Sequence, residues 1–252
     1  SFTEKDPWPL IEKESDSAQF IKDGLLLIDD GIISGFGTYE ELSSRLDHYE
    51  VILKPDHLLV PGFIDGHIHF PKVRLMGAYG NQLLDWLQNS IFPEEFKYRD
   101  CDYATTASHH FFSALLAAGT TTCQAFTTSS PVLTEVFFDE AIARGMRVIA
   151  GLTGIYKFAP DDYCISPHEF YEESKKLIEK YHGLDRCLYA ITPRFAVGCS
   201  KEMMQACCQL KKSIQIVGST LIYRKIHLKL GRQRKSSLIA PTTQKCMRSM
   251  VF

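Results

Sequence analysis

The sequence predicts an α/β fold in which parallel strands alternate with helices. After residue 57, short apolar segments rich in β-forming residues are each followed by a longer segment of helical character. Gly119, Gly145 and Gly183 stand where three of these helices would end. Because strand, helix and strand in succession form a parallel pair with a crossover helix, the repeated alternation predicts a parallel sheet covered by helices.

The composition is that of a globular protein. The chain has 252 residues, of which 45% are hydrophobic and 23% are charged, and its formal net charge is −2. The sequence has no apolar run of the roughly 18 residues needed for a membrane helix, so no membrane partner is expected. The eight cysteines form no C-x-x-C pair, which favours free thiols and a cytoplasmic location.

Residues 1–57 are predicted to form a small β-domain. Residues 24–37 have the pattern of a β-hairpin, with an Asp-Gly pair at the turn, where a positive φ is required. A short helix is predicted at residues 39–46, and a further strand at residues 51–53. This domain is expected to have a structural role.

Residues 58–212 are predicted to hold four strand–helix units. The predicted strands are residues 58–69, 120–126, 147–153 and 188–192. The predicted helices are residues 102–118, 131–144, 166–181 and 200–212. The third helix has the clearest start, since Ser166, Pro167 and Glu169 occupy the N-cap, first and third positions that favour these residue types.

Two histidines end the first predicted strand. His67 and His69 are separated by one residue, and side chains alternate along a strand, so both imidazoles are expected on the same side. Two neutral imidazoles at one place are a natural start for a divalent metal site. The pair follows an apolar run broken by Pro61 and Gly62, at the strand end where a barrel of parallel strands places its active site.

The residues around this pair resemble those of the amidohydrolase superfamily. Residues 61–69, Pro-Gly-Phe-Ile-Asp-x-His-x-His, are similar to the first-strand signature of these metal-dependent hydrolases and deaminases. Four further segments closely resemble the guanine deaminases within that superfamily: residues 76–87, 92–95, 118–122 and 189–195. The resemblance extends from about residue 23 to about residue 212.

The resemblance implies an α/β fold of the TIM type, the (β/α) barrel of the amidohydrolase superfamily. A closed barrel has eight units, so residues 58–212 would be its N-terminal half and residues 1–57 part of a composite β-sandwich beside it. The family-like sequence is expected to be truncated after about residue 212. All 30 acidic residues and 18 of the 28 basic residues lie at or before Glu202, so the end of the chain is strongly basic. Residues 213–252 are therefore interpreted as a basic tail that does not resemble the family. We expect this tail to be translated from another reading frame or from an alternative exon.

The same resemblance implies zinc-dependent conversion of guanine to xanthine and ammonia. In these enzymes one zinc ion per subunit takes two histidines from the first strand, matched here by His67 and His69, and further ligands from later strands. The shuttling glutamate of the family lies in a His-Leu-Ser-Glu motif. That glutamate and the distal zinc-binding aspartate of the family have no match in this sequence, so the catalytic residues are unknown. His227 lies in Ile-His-Leu-Lys, which has lysine where the family motif has serine, so His227 is disfavoured as a zinc ligand.

A purine pocket is also implied, and it includes one departure from the family. The residues that match substrate-binding positions are His69, Phe70, Pro71, Lys72, Arg194 and Phe195. The family usually has glutamine where Lys72 stands, and lysine has three hydrogen-bond donors and no acceptor. The expected partners are guanine and a second copy of the chain in a homodimer.

Two other functions stay open at this point. The chain could be an amidohydrolase that acts on another heterocycle, which Lys72 leaves possible. It could instead be a catalytically inactive fragment that acts as a binding or scaffold module, which the unmatched zinc ligands favour. A nucleic-acid partner is not expected, since only the basic tail points to one and no RRM, KH or zinc-finger pattern is present.

Overall fold

A computed structural model describes residues 20–78, 83–194 and 198–213. The chain divides into two compact units, one ending at Pro61 and the next beginning at Gly62. The predicted domain boundary after residue 57 lies four residues before this division. Apart from Ser213, the predicted basic tail and its His227 lie outside the described residues, as does Phe195.

The first unit contains the predicted hairpin. Strands β1 (Gly24–Asp29) and β2 (Ile32–Thr38) pair antiparallel, and the turn residues Asp30 and Gly31 have φ values of 48° and 76°. Helix α1 (Tyr39–Leu42) begins at a capping box of Thr38 and Glu41, and a 3-10 turn at Ser43–His48 follows it. The predicted helix at residues 39–46 is therefore shorter than expected and tightens after one turn.

The strand predicted at residues 51–53 is wrong. These residues form no regular element in the structure, and their apolar side chains are 49–80% exposed. A single strand is stable only when its backbone groups pair with a neighbour and one face is buried. Neither condition holds for these residues within the described part of the chain.

The second unit is built on a parallel sheet. Its four strands lie in the order β3 (Phe63–His69), β4 (Thr120–Phe126), β5 (Arg147–Gly151) and β7 (Cys187–Tyr189). The first strand begins five residues later than predicted because Pro61 has no amide N–H to donate and Gly62 approaches the Thr121 side chain too closely to carry a Cβ.

The helices agree with the sequence prediction to within one residue at each end. They are α4 (Cys101–Ala117), α5 (Pro131–Ala143), α6 (Pro167–Tyr181) and α7 (Lys201–Ser213). The long connection after β3 also contains α2 (Leu83–Trp86), a π turn and α3 (Phe92–Lys97). Among the residues described, no helix is long and apolar enough to cross a membrane.

Aromatic side chains fill the core between the sheet and these helices. Phe70 has no exposed surface, and its ring centroid lies 5.6 Å from that of Phe111 and 5.3 Å from that of Phe137. Phe138 stacks on Tyr181 with a centroid separation of 4.8 Å. The segment that follows β3 is therefore anchored to α4 and α5 by one large apolar side chain.

Hydroxyl groups satisfy the backbone where the strands end. The predicted strand at residues 147–153 breaks at Leu152 and resumes as β6 (Thr153–Gly154), which pairs with β8 (Thr192–Pro193). The Thr127 and Thr192 hydroxyls donate to the Gly151 carbonyl at 2.8 and 2.9 Å. These buried hydrogen bonds offset the backbone pairing that is interrupted at Leu152. They also hold β8, which leads directly into residue 194.

Six cysteines in the described part carry free thiols, in agreement with the sequence prediction. They are Cys101, Cys123, Cys164, Cys187, Cys199 and Cys207. Cys208 is disulfide-bonded, which the prediction did not include.

The N-cap of α6 gives a first testable prediction. The Ser166 hydroxyl accepts a hydrogen bond from the Glu169 amide at 3.1 Å, so Ser166→Ala is expected to lower the free energy of unfolding by about 1 kcal/mol. Ser130 occupies the N-cap of α5 without a side-chain cap bond, so Ser130→Ala is the matched control and should change stability little. Denaturant unfolding of both variants compares the two; equal losses would show that the Ser166 bond contributes nothing.

Candidate active site

The histidine pair lies at the carboxyl end of β3. The imidazole centroids of His67 and His69 are 5.3 Å apart, with their planes at 73°. Both rings contact the Phe126 ring on the neighbouring strand, at 5.7 and 5.0 Å. The structure thus brings the two predicted metal ligands together, as the alternation along the strand predicted.

A bulge in β3 contributes to this arrangement. Asp65 pairs with Cys123 and Ile68 with Ala125, so one extra residue lies on β3 between these two positions. The Asp65 side chain accepts a hydrogen bond from the His67 amide at 2.9 Å. This hydrogen bond holds the His67 backbone within the bulge. The alternation of side chains along a strand does not by itself predict such a bulge.

His69 is held in its neutral form. Burial, assisted by the charges of Lys72, Arg194 and His67, lowers the pKa of His69 to about 2. A metal ion binds imidazole only in its neutral form. Two imidazoles bound to one tetrahedral ion would have centroids about 5 Å apart, close to the observed separation. The pair fits two positions of a metal site.

The described residues do not complete that site. They contain no group of three or more His, Cys, Asp or Glu side chains that could hold a metal ion. Zinc sites in proteins use three or four protein ligands. The described part of the chain therefore supplies part of a metal site.

Arg194 follows β8 and is almost fully buried, with 3% of its surface exposed. Its Nη1 donates to Glu95 Oε2 at 2.7 Å and to the Tyr163 hydroxyl at 2.8 Å, and its Nη2 donates to Glu95 Oε1 at 2.9 Å. The guanidinium also lies 5.5 Å from the Phe92 ring centroid and 5.4 Å from that of Tyr163. Arg194 is thus held by a bidentate ion pair and by two aromatic rings.

Lys72 adds a second positive charge to this region. Its Nζ lies 5.6 Å from the centroid of the Trp86 ring. Burial lowers the pKa of Lys72 to about 8, the Arg194 charge acts in the same direction, and Glu95 acts against it. With two cations and one carboxylate beside a neutral His69, this region favours a ligand that presents hydrogen-bond acceptors.

Two other predicted substrate-binding residues, Phe70 and Pro71, are buried in the structure. Because the Phe70 ring packs in the core, any contact that Phe70 makes with a substrate must come from its backbone. Trp86 packs against a small cluster that includes Phe92 and Tyr163, and its indole N–H has no partner among the described residues.

Sequence reasoning missed Glu95 and Tyr163 as the partners of Arg194. The available signal was the Glu94-Glu95 pair that follows Phe92-Pro93 in an apolar stretch. Carboxylates are seldom buried unless they are paired, so two glutamates in an apolar stretch indicate that a buried cation lies next to at least one of them. Nothing local identifies that cation, which lies 99 residues further along the chain.

Comparison with known proteins assigns the chain to a family. The model of the amidohydrolase family matches residues 58–221. The chain belongs to the amidohydrolase family. The α/β fold of the TIM-barrel type predicted from the sequence is thereby confirmed, and the parallel sheet described above is part of it.

The similar amidohydrolases include guanine deaminases. Guanine deaminase from Escherichia coli K12 is 42% identical over 202 residues, which are 80% of this chain and 46% of that protein. The crystal structure of guanine deaminase from Bradyrhizobium japonicum matches with a TM-score of 0.76 and 54% identity, over 79% of this chain and 43% of that one. The guanine-bound structure of the enzyme from C. acetobutylicum matches with a TM-score of 0.74 and 26% identity, over 81% and 49%.

The chain spans about half the length of the relatives that it matches. Matched structures at 19% identity include zinc-bound proteins, and at that identity the likeness concerns the fold.

Proposed function

We propose that this chain acts in the zinc-dependent hydrolytic deamination of guanine to xanthine and ammonia. The observation that carries the proposal is the placement of a neutral histidine pair at the end of β3, in the same unit as the buried Arg194 and the half-buried Lys72. The guanine deaminases named above, at 42% and 54% identity, support the choice of guanine.

The chain's own residues have defined tasks in this proposal. His67 and His69 would hold two coordination positions of a zinc ion, with one zinc ion in each subunit. When bound, zinc supplies a Lewis acid that lowers the pKa of water from 15.7 to about 7. Arg194 would donate a hydrogen bond to the purine carbonyl. Lys72, Phe195 and the backbone of residues 69–71 would line the rest of the purine pocket.

The proposal extends to the setting of the enzyme. A homodimer with guanine as its small-molecule substrate follows from the resemblance stated above, and a cytoplasmic location follows from the cysteine pattern. Six of the described cysteines carry free thiols, which fits a reducing compartment, whereas the disulfide at Cys208 does not add to that support.

One observation favours a second candidate function, a catalytically inactive binding or scaffold module. The described residues supply only His67 and His69 toward a site that needs at least three protein ligands. A chain with this pair and the buried Arg194, but without the remaining ligands, would bind a purine without converting it.

An assay for xanthine separates the two candidates. The 252-residue chain, purified and loaded with zinc, is incubated with guanine, and xanthine and ammonia are measured together. Deamination is expected to yield both in equal amounts and to stop in the His67→Ala variant. Guanine binding without xanthine would instead support the binding module, and the absence of both would contradict both candidates.

The Lys72 position gives a prediction about specificity. Guanine carries N–H donors that a lysine ammonium cannot accept, whereas glutamine can both donate and accept. Lys72→Gln is therefore expected to tighten guanine binding about tenfold, the effect of one hydrogen bond of about 1–1.5 kcal/mol. Calorimetric titration measures it. The control is Lys176→Gln, since Lys176 is an exposed residue of α6 paired with Glu173. An unchanged or weaker affinity in Lys72→Gln would show that Lys72 faces an acceptor.

A further inference from the structure

The ion pair between Glu95 and Arg194 joins two distant parts of the second unit. Glu95 lies in α3, in the long connection after β3, and Arg194 follows β8 at the carboxyl end of the strands. Their side chains are 1% and 4% exposed. A bidentate arginine–carboxylate pair fixes the relative orientation of its two groups as well as adding energy.

The contacts fix the guanidinium in every direction. The two oxygens of Glu95 and the Tyr163 hydroxyl set its orientation within its own plane. The rings of Phe92 and Tyr163 restrict its tilt. These bonds use three of the five N–H donors of an arginine. The other two donors have no hydrogen-bond partner among the described residues, and their directions are set by the same contacts.

The neighbouring glutamate differs in its contacts. Glu94 bonds Lys97 Nζ at 2.7 Å and accepts a bond from the Tyr103 hydroxyl. It therefore serves the junction of α3 and α4, whereas Glu95 serves Arg194. Two adjacent, buried glutamates with separate partners make a natural pair of test and control.

Stability alone does not explain a buried ion pair here. Replacing such a pair by apolar residues of similar volume is often neutral or stabilising, because desolvation costs offset the Coulomb attraction. Preorganised donors, by contrast, raise affinity and specificity, because their orientation is set before the ligand binds. A restrained arginine beside His69 and Lys72 has the properties of such a donor.

We propose that Glu95 is a positioning residue: its carboxylate, with the Tyr163 hydroxyl, holds Arg194 so that the remaining guanidinium N–H groups face the carbonyl oxygen of the purine. This inference rests on the proposed function, because it assigns the recognised oxygen to guanine. Glu95 itself does not touch the substrate.

The test compares two ligands in two variants of the full chain. 2-Aminopurine lacks the carbonyl oxygen of guanine and the proton on N1 that goes with it, so a change in the ratio of their dissociation constants between variants reports the contact at this edge of the purine. Calorimetry of the full chain with its metal removed, so that guanine is bound but not converted, is expected to show that Glu95→Gln reduces this ratio at least tenfold, whereas Glu94→Gln leaves it within twofold of the original value. A purely structural role for Glu95 would weaken both ligands equally and leave the ratio unchanged.

Each outcome is decisive. An unchanged ratio in Glu95→Gln, with guanine still bound by the original chain, overturns the positioning role and leaves the proposed function in place. If the original chain does not bind guanine, the proposed function fails, and the positioning role fails with it. If Glu95→Gln does not fold, Tyr163→Phe removes only the hydroxyl acceptor, and it should reduce the ratio about threefold; an unchanged ratio there overturns the proposal.

Discussion

Replacing Arg194 by methionine is expected to lower the free energy of unfolding by about 3–5 kcal/mol, since it leaves the Glu95 carboxylate buried without its partner. For a chain of this size the melting temperature should fall by roughly 10 °C. Binding of guanine should be lost in the same variant at temperatures where it remains folded, because the donors to the purine carbonyl are gone.

The control for this prediction removes both charges. A double variant, Glu95→Leu with Arg194→Met, leaves no uncompensated ion in the interior and should recover most of the lost stability. It should not recover guanine binding. Equal losses of stability in the single and double variants would contradict the interpretation of this pair as a coupled, buried ion pair.

Removing either histidine of the pair is expected to reduce zinc affinity by more than 100-fold. Loss of residues that only orient a ligand already costs 10–100-fold, and His67→Ala or His69→Ala removes a ligand itself. Competition with a chromogenic chelator measures the affinity. His110→Ala is the control, because His110 is exposed in α4, away from the pair. Equal zinc affinity in His67→Ala and His110→Ala would show that the ion is bound elsewhere.

The elements that the sequence predicts well are those with local signals. Strand β4 has the predicted bounds, and α6 has the predicted N-cap, because β-forming residues, proline and the cap serine act on their own neighbours. The start of β3 was misplaced because apolar character continues through residues 58–60, whereas pairing begins only after Pro61 and Gly62. Residues 51–53 are also apolar, but they have no partner strand among the described residues and form no strand.

The candidate site shows a similar division. His67 and His69 lie on one strand, so their proximity was predictable from the alternation of side chains. The partnership of Glu95 with Arg194 joins residues far apart in the chain and depends on how α3 packs on the strand ends. The burial of the Phe70 ring likewise depends on its aromatic neighbours in α4 and α5, which a motif match does not specify.

Titration of the metal-free chain, which cannot convert guanine, with guanine and with adenine is the decisive measurement. Adenine has an amino group where guanine has its carbonyl oxygen, so a pocket built on the Arg194 donors should bind guanine at least tenfold more tightly. The preference should disappear in Arg194→Met. Equal affinity for the two purines, or no binding of guanine, would contradict the assignment of this chain to guanine recognition.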